Sequence, residues 1–296
     1  MKKIIFPLIL FSLSCDKDPI FGLERGWLIG KDEIEIEIPG CMDNQACNFD
    51  ENATISDGSC LYIDCTGECG GGAFENECGI CVGGSTGLNE DYCKVIDVDG
   101  NEYETIKIGN QIWMAENLKV THYNNGDEIP TGYTDSVLIG YFWQSEWQLL
   151  SEGAYTTYND DPSNVAIYGY LYNFYAATDS RKICPEDWHV PTQSEWSQLI
   201  GYLGYNPGSK LAGREDLWIN GVLESNSEFG TSGFNALPGG YRPGINYYSL
   251  GYVARFWTST NVNMYSWQVT IDYDNTGLNT DYYYNINGFS VRCIKD

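Results

Sequence analysis

The segment from Cys184 to Leu203, CPEDWHVPTQSEWSQLIGYL, contains the residue types of a hydrolase site. One of the two histidines in the chain, His189, lies there close to the carboxylates of Glu186, Asp187 and Glu195. An imidazole acts as a general base only when a nucleophile or a water lies within hydrogen-bond reach. The segment supplies no such nucleophile. We therefore predict that His189 is structural and bonds a backbone carbonyl.

The same segment has the pattern of a helix start. Thr192 and Glu195 have the spacing of a capping box, in which each side chain bonds the backbone N–H of the other residue. Apolar residues then recur on one helical face, at Trp196, Leu199, Ile200 and Leu203, and Gly204 follows as a natural stop. We predict an amphipathic helix after Thr192, in which Glu195 has a structural role.

The chain is strongly acidic. It has 41 Asp and Glu against 16 Lys and Arg, which gives a formal net charge of −25. Nucleic acid binding depends on cationic contacts to phosphate, so this balance excludes a nucleic acid partner and leaves divalent cations as the plausible charged partner. A chain of 296 residues can bury a core, and we expect one main domain and one small one.

The amino terminus has the pattern of an export signal. Lys2 and Lys3 precede the apolar run Ile4 to Phe11, which is too short to span a bilayer. The sequence FSLSC that follows resembles a bacterial lipobox with Cys15 as the acylated residue, and DKDP after it resembles a surface-export signal. We predict a lipoprotein signal peptide over residues 1–14, a lipid anchor and tether over 15–39, and a surface-exposed outer membrane lipoprotein. The alternative is an ordinary cleaved signal with an incidental cysteine.

Residues 40–93 form a cysteine-rich segment with few large apolar side chains. Its eight cysteines are Cys41, Cys47, Cys60, Cys65, Cys69, Cys78, Cys81 and Cys93. A segment that cannot bury a core needs covalent cross-links, and an exported location favours disulfides. Eight cysteines allow many pairings, so the pairing stays open. A four-thiolate zinc site of Cys65, Cys69, Cys78 and Cys81 is the alternative.

Oxygen ligands are also abundant in this segment. Calcium is the candidate ion, and its candidate ligands are Asp43, Asn44, Asp50, Asn52 and Asp57. Their spacing does not match the EF-hand loop, and Asx turns account for the same residues. Calcium is therefore the one candidate cofactor that the sequence offers.

Residues 94–296 alternate strand and helix patterns. VIDVDGNEYETIKIGNQIWMAENL predicts three strands with turns at Asp99-Gly100 and Gly109-Asn110, and DYDNTG (272–277) predicts a hairpin turn. A second helical face is formed by Tyr168, Leu171, Tyr172, Tyr175 and Ala176. We predict an α+β domain with two helices, short strands and long loops.

Six ordered segments of this domain resemble the Fibrobacter succinogenes major paralogous domain. They are DVDGNEYETIKIGNQIWMAENLKVTHYNNGDEIP, GYLYNFYAA, ICPEDWHVPTQSEW, SGFNALPGGYR, FWTST and GFSVRCIKD. They span about residues 95 to 296. The resemblance implies a relation to the C-type-lectin-like fold and to the formylglycine-generating enzymes.

That relation implies two activities, and the residues of this chain support neither. Formylglycine-generating enzymes bind copper through neighbouring cysteines, whereas this domain has only Cys184 and Cys293, far apart in sequence. We expect these two to form a structural disulfide. Calcium-dependent sugar binding in C-type lectins uses Glu-Pro-Asn or Gln-Pro-Asp with Trp-Asn-Asp, and none of these tripeptides occurs here.

The function that the sequence favours is a non-catalytic binding or adhesion role at the cell surface, with an extracellular polysaccharide as the ligand. Aromatic side chains stack on the apolar faces of sugar rings. The candidate ligand-binding residues lie in loops 131–166 and 239–249, and they are Tyr133, Tyr141, Trp143, Trp147, Asp160, Asp161, Tyr241, Tyr247 and Tyr248. The simpler interpretation is that these aromatics fill the core. A diverged enzyme that uses His122 or His189 and a purely structural envelope protein are the other hypotheses.

Overall fold

The computed structural model describes residues 37–133, 137–139 and 142–296. The strands are β1 (Pro39–Gly40), β2 (Ile55–Ser56), β3 (Ala73–Glu75), β4 (Cys81–Gly83), β5 (Lys94–Ile96), β6 (Glu102–Ile108), β7 (Gln111–Met114), β8 (Val137–Ile139), β9 (Phe142–Gln144), β10 (Tyr155–Thr156), β11 (Leu171–Tyr172), β12 (Trp188–His189), β13 (Gly239–Tyr241), β14 (Tyr248–Leu250), β15 (Val253–Val262), β16 (Tyr265–Asp272), β17 (Asn275–Tyr284) and β18 (Ile294–Lys295). The α-helices are α1 (Val165–Tyr168), α2 (Phe174–Ala177), α3 (Gln193–Leu203) and α4 (Pro207–Leu211). The architecture is α+β, as predicted, with strands predominating.

Four disulfides hold the cysteine-rich segment together. They join Cys41 to Cys60, Cys47 to Cys69, Cys65 to Cys81 and Cys78 to Cys93. The zinc alternative is wrong, because its four cysteines belong to three different disulfides. Few apolar side chains are buried in this segment, so the cross-links replace the core that its composition cannot supply.

The first large sheet has the strand order β12-β18-β7-β6-β5. Strands β5, β6 and β7 are the three that the sequence predicts, with their turns at Asp99-Gly100 and Gly109-Asn110. The C-terminal strand β18 lies between β12 and β7. The end of the chain is therefore built into the sheet, directly beside the segment that leads into helix α3.

The second large sheet has the order β14-β13-β15-β16-β17, and β17 forms one edge. Asp272 pairs with Asn275 across the predicted hairpin turn. The prediction of short strands is wrong here, because β15, β16 and β17 are 10, 8 and 10 residues long. Alternate side chains of β16 face opposite sides of the sheet, and Val269 and Ile271 pack into the core on one side.

Helix α3 begins and ends where the sequence predicts. Thr192 Oγ1 accepts the backbone N–H of Glu195, and Glu195 accepts that of Thr192, which completes the capping box. Trp196 and Leu199 are buried, and Gly204 ends the helix with a φ of 67°. In the described residues, α3 is the one helix longer than two turns.

The second predicted helical face does not form a helix. Gly169 has a φ of 71° and a ψ of −163°, which ends α1 after one turn. Leu171 and Tyr172 then form β11, which pairs with β10, and α2 adds another single turn. Tyr172 is fully buried all the same, so the apolar pattern identified a core segment but not its secondary structure. The prediction of two helices is corrected to one regular helix and three short ones among the described residues.

Two apolar clusters form the core on either side of the central strands. One is centred on Tyr172, Trp257 and Phe289, and the other on Trp113, Trp196 and Phe234. Cys184 and Cys293 lie in the first cluster and form a disulfide, which is the pairing expected from the sequence. No helix in the described part of the chain has the length and apolar character needed to cross a membrane.

Candidate functional site

The two loops that contain the predicted ligand-binding residues meet around Arg242. Its guanidinium lies 4.7 Å from the ring centre of Trp147, in one loop, and 5.0 Å from that of Tyr247, in the other. Arg242 is fully buried, and its Nη1 donates to the Tyr247 hydroxyl at 2.8 Å. Parts of the two loops are therefore neighbours in space.

The Tyr247 hydroxyl is the centre of a polar network. It donates to Asp160 Oδ1 at 2.5 Å and lies 2.7 Å from Thr156 Oγ1. Burial of the ring and the hydrogen bond to Asp160 raise the pKa of Tyr247 above its ordinary value. Asp161 is exposed and accepts the Ser163 N–H, which caps a short 3₁₀ turn. These bonds hold the two loops to each other.

Trp147 does not form a ligand platform. Its side chain is fully buried, and its Nε1 donates to the carbonyl of Ile286 at 2.5 Å. Tyr133 is half-buried and packs edge-on against Trp147, with the ring centres 6.1 Å apart. The prediction of a stacking role for Trp147 is wrong, and the simpler interpretation as a core residue applies. Tyr141 and the side chain of Trp143 lie outside the part of the chain that the structure describes.

An exposed group of aromatic side chains lies instead on the second sheet. Tyr265, Tyr282 and Tyr284 are 37%, 44% and 53% exposed. Tyr265 faces Tyr284 across β16 and β17, and Trp267 faces Tyr282, so the four side chains share one face. Their ring centres lie 4.7 Å apart in the first pair and 5.6 Å apart in the second. We call these four residues the tyrosine strip.

Sequence reasoning missed the tyrosine strip. The available signal was the alternation of Tyr265, Trp267, Val269 and Ile271 at every second residue, which predicts one face of a strand. In the structure, Val269 and Ile271 are buried while Tyr265 is exposed, because the sheet extends beyond the core. The pattern predicts a shared face but not where the covering core ends.

The remaining predicted tyrosines lie on the other part of this sheet. Tyr241 and Tyr248 face each other across β13 and β14, with their ring centres 6.1 Å apart. Tyr248 is exposed, whereas Tyr241 is half-buried against Phe289 and lies under the guanidinium of Arg255, 3.9 Å from it. These two tyrosines thus border a cationic group that the sequence analysis did not single out.

Both histidines bond carboxylates. His189 has Glu195 Oε1 2.8 Å from its Nε2 and Asp296 Oδ1 2.5 Å from its Nδ1. His122 Nδ1 lies 2.6 Å from Asp99 Oδ1. The expected bond from His189 to a backbone carbonyl is corrected to two bonds to carboxylates. Glu195 belongs to the capping box and Asp296 follows β18, so His189 connects the start of α3 to the end of the chain.

The candidate calcium ligands accept hydrogen bonds from their own loops. Asp43, Asp50 and Asp57 accept the backbone N–H groups of Gln45, Asn52 and Ser59. The Gln45 N–H and the Tyr62 hydroxyl lower the pKa of Asp43 below its ordinary value. Asn52 also donates to Asp50 through its side chain, and Asn44 is exposed. Residues 37–133, 137–139 and 142–296 contain no group of three or more His, Cys, Asp or Glu that could hold a metal ion. Calcium binding stays a prediction.

Two of the clefts on the surface of the described residues contain charged side chains. The larger has a volume of about 530 Å³ and is lined by Glu104, Glu116, Arg214 and Asn235 among others. Arg214 forms a two-pronged bond with Asp216. The smaller, of about 240 Å³, is bordered by Lys182, Trp188 and His189. In both clefts the arginine or the histidine already bonds carboxylates of this chain.

The family comparison covers the second large sheet and most of the first. The sequence profile of the Fibrobacter succinogenes major domain matches residues 106–295, which is more than half of the chain. The chain therefore belongs to the Fibrobacter succinogenes major domain family. The match begins within β6 and ends with β18, so the cysteine-rich segment lies outside it. No curated protein and no solved structure matches the chain.

Proposed function

We propose that this protein is a non-catalytic cell-surface lipoprotein that binds an extracellular polysaccharide through the tyrosine strip. The observation that carries the proposal is the exposure of Tyr265, Tyr282 and Tyr284 on one face of adjacent strands. Exposed apolar groups collected on one surface are a feature of binding sites. The apolar face of a sugar ring is a partner that such rings can stack against.

The geometry of the strip supports a polymer as the ligand. Tyr282 and Tyr284 are two residues apart on the edge strand, and strand geometry separates such side chains by about 7 Å. Tyr265 and Trp267 extend the surface onto the next strand. Rings at regular intervals on a sheet can contact successive units of one chain. The strip is also largely uncharged, so it suits a neutral glycan.

Two further parts of the proposal concern location and ancestry. The lipobox-like sequence ending at Cys15 supports lipidation and an outer membrane location. Cys15 lies outside the part of the chain that the structure describes. We also propose a fold related to C-type-lectin-like proteins and formylglycine-generating enzymes. The segments PTQSEW (191–196) and GFSVR (288–292) support it, because they match the PT-x-x-EW and GF-x-x-R patterns that recur in those folds. An experimental structure that superposes on neither fold would refute it.

The proposal is tested by screening the purified protein against neutral polysaccharides, with and without a calcium chelator. We expect binding that falls by about 1–3 kcal/mol when Tyr282 or Tyr284 is changed to Ala, the range for anchor residues. The matched control is Tyr205→Ala, because Tyr205 is 91% exposed and lies outside the strip. No binding by the wild type, or equal binding by all variants, would refute the proposal. Binding that the wild type shows without the chelator and loses when the chelator is added would support the calcium prediction.

A diverged enzyme and a purely structural envelope protein are the alternatives. The enzyme needs a histidine that can reach a substrate, whereas His189 bonds two carboxylates and His122 bonds one. A structural protein needs no exposed aromatic face. The tyrosine strip therefore favours the binding protein over both.

A further inference from the structure

Arg255 is an arginine without an acceptor. It lies on β15 and is half-buried. Its Nε and Nη1 are buried without a hydrogen-bond partner, whereas Nη2 is not buried. Every other arginine in the described part of the chain donates to at least one oxygen atom. Buried polar groups are almost always paired in native proteins, so this exception requires an explanation.

Aromatic rings fix the position of this guanidinium. It lies 3.9 Å from the ring centre of Tyr241, 4.6 Å from that of Tyr283 and 5.7 Å from that of Phe289. Stacking between a guanidinium and aromatic faces is favourable, and it leaves the edge with the N–H donors unused. The rings thus hold Arg255 in place without satisfying any of its donors.

A comparison with Arg181 shows what is missing. Arg181 also lies 3.9 Å from a tyrosine ring centre, that of Tyr123. Its guanidinium, however, donates to Asp179 and Asp127 at 2.9 Å. Arg255 has the stacking but not the carboxylates. Asp272 interacts with Arg255 electrostatically, but no ion pair joins them. In a chain with 41 acidic residues, the described structure places none of them on this cation.

We infer that Arg255 is the anion-binding group of a second ligand site, one that takes the carboxylate of a uronic acid unit in an acidic glycan. Because Nε and Nη1 are buried under the rings, Nη2 is the donor that a ligand can reach, and a hydrogen bond from a charged guanidinium to a carboxylate oxygen is one of the stronger kinds. Tyr248 is exposed beside Tyr241 and offers a ring face to the sugar that carries the carboxylate. On β16, Thr270 pairs with Arg255 and Tyr265 pairs with Tyr284. Thr270 and Tyr265 are an odd number of residues apart, so their side chains lie on opposite faces of the sheet. This site is therefore separate from the tyrosine strip.

The inference is tested on the whole protein with oligomers of galacturonic acid, and with neutral glucose oligomers of equal length as the control. We expect Arg255→Gln to lower the affinity for the acidic oligomer by roughly tenfold or more, as loss of a charged hydrogen bond does. Arg255→Lys should bind with intermediate affinity, because it keeps the positive charge but loses the planar group that stacks on the rings of Tyr241 and Tyr283. Wild-type binding should also weaken as salt is added.

Arg181→Gln is the matched control, because it makes the same change in net charge at an arginine that is stacked and paired. It should leave the affinity for the acidic oligomer unchanged. Thermal unfolding shows whether each variant folds, and Arg255→Gln should lower the melting temperature only slightly, through the loss of stacking on Tyr241 and Tyr283. No wild-type binding of the acidic oligomer, or equal loss in both Gln variants, would overturn the inference. The variants Tyr282→Ala and Tyr284→Ala should retain this binding, which separates it from the proposed function.

Discussion

Replacing Trp147 distinguishes a core residue from a ligand platform. A fully buried indole removes roughly 150–250 Å² from water, which at about 25 cal/mol per Å² corresponds to about 4–6 kcal/mol. Area sums of this kind are upper bounds, and measured losses for Trp→Ala are about 3–5 kcal/mol. Trp147 is fully buried and also donates to the Ile286 carbonyl. We therefore expect Trp147→Ala to lower the free energy of unfolding by about 4 kcal/mol.

The assay is urea unfolding followed by circular dichroism, because the substitution removes one of the tryptophans that fluorescence would report. Trp147→Phe keeps most of the apolar area but loses the hydrogen bond to Ile286, so it should cost about 1–3 kcal/mol. Tyr205→Ala is the exposed control and should cost less than about 0.5 kcal/mol. If Trp147→Ala costs no more than this control, the indole is not part of the core and its role in ligand binding has to be considered again.

Two further predictions concern covalent features of the chain. The Cys184–Cys293 disulfide closes a loop with a sequence separation of 109 residues, so the Cys184→Ala/Cys293→Ala variant should lose about 5 kcal/mol in urea unfolding; a loss below about 1 kcal/mol would contradict the entropic argument. Cys15→Ser should move the expressed protein from the membrane fraction to the soluble or unprocessed form, and unchanged partitioning into detergent would exclude the lipid anchor.

Local patterns predicted the elements whose stability is decided locally. The capping box at Thr192, the apolar face that begins at Trp196 and the turn at Asp272 all depend on residues within a few positions of one another. The strands β5 to β7 alternate in the same local way. In each case the pattern and the tertiary structure favour the same conformation, so the sequence was sufficient.

The failures have tertiary causes. The segment from Tyr168 to Ala176 has helical periodicity, but Leu171 and Tyr172 pair with β10, and Gly169 adopts a conformation that ends α1. Parts of the loops 131–166 and 239–249 do meet, yet the ring of Trp147 is buried against Arg242, and Tyr247 is half-buried beside the same guanidinium. A sequence indicates that an aromatic residue is apolar, but only the packing decides whether its ring is covered.

The order of the disulfides in the cysteine-rich segment has a topological consequence. The loop closed by Cys41 and Cys60 overlaps the next one, which begins at Cys47, and the loops that begin at Cys65 and Cys78 continue the overlap as far as Cys93. Every peptide bond from Cys41 to Cys93 therefore lies inside at least one closed loop. A protease that cuts the backbone once anywhere in this segment leaves its two pieces covalently joined. Separation of the residues before Cys41 from those after Cys93 by cuts within this segment therefore takes at least two cuts, or reduction.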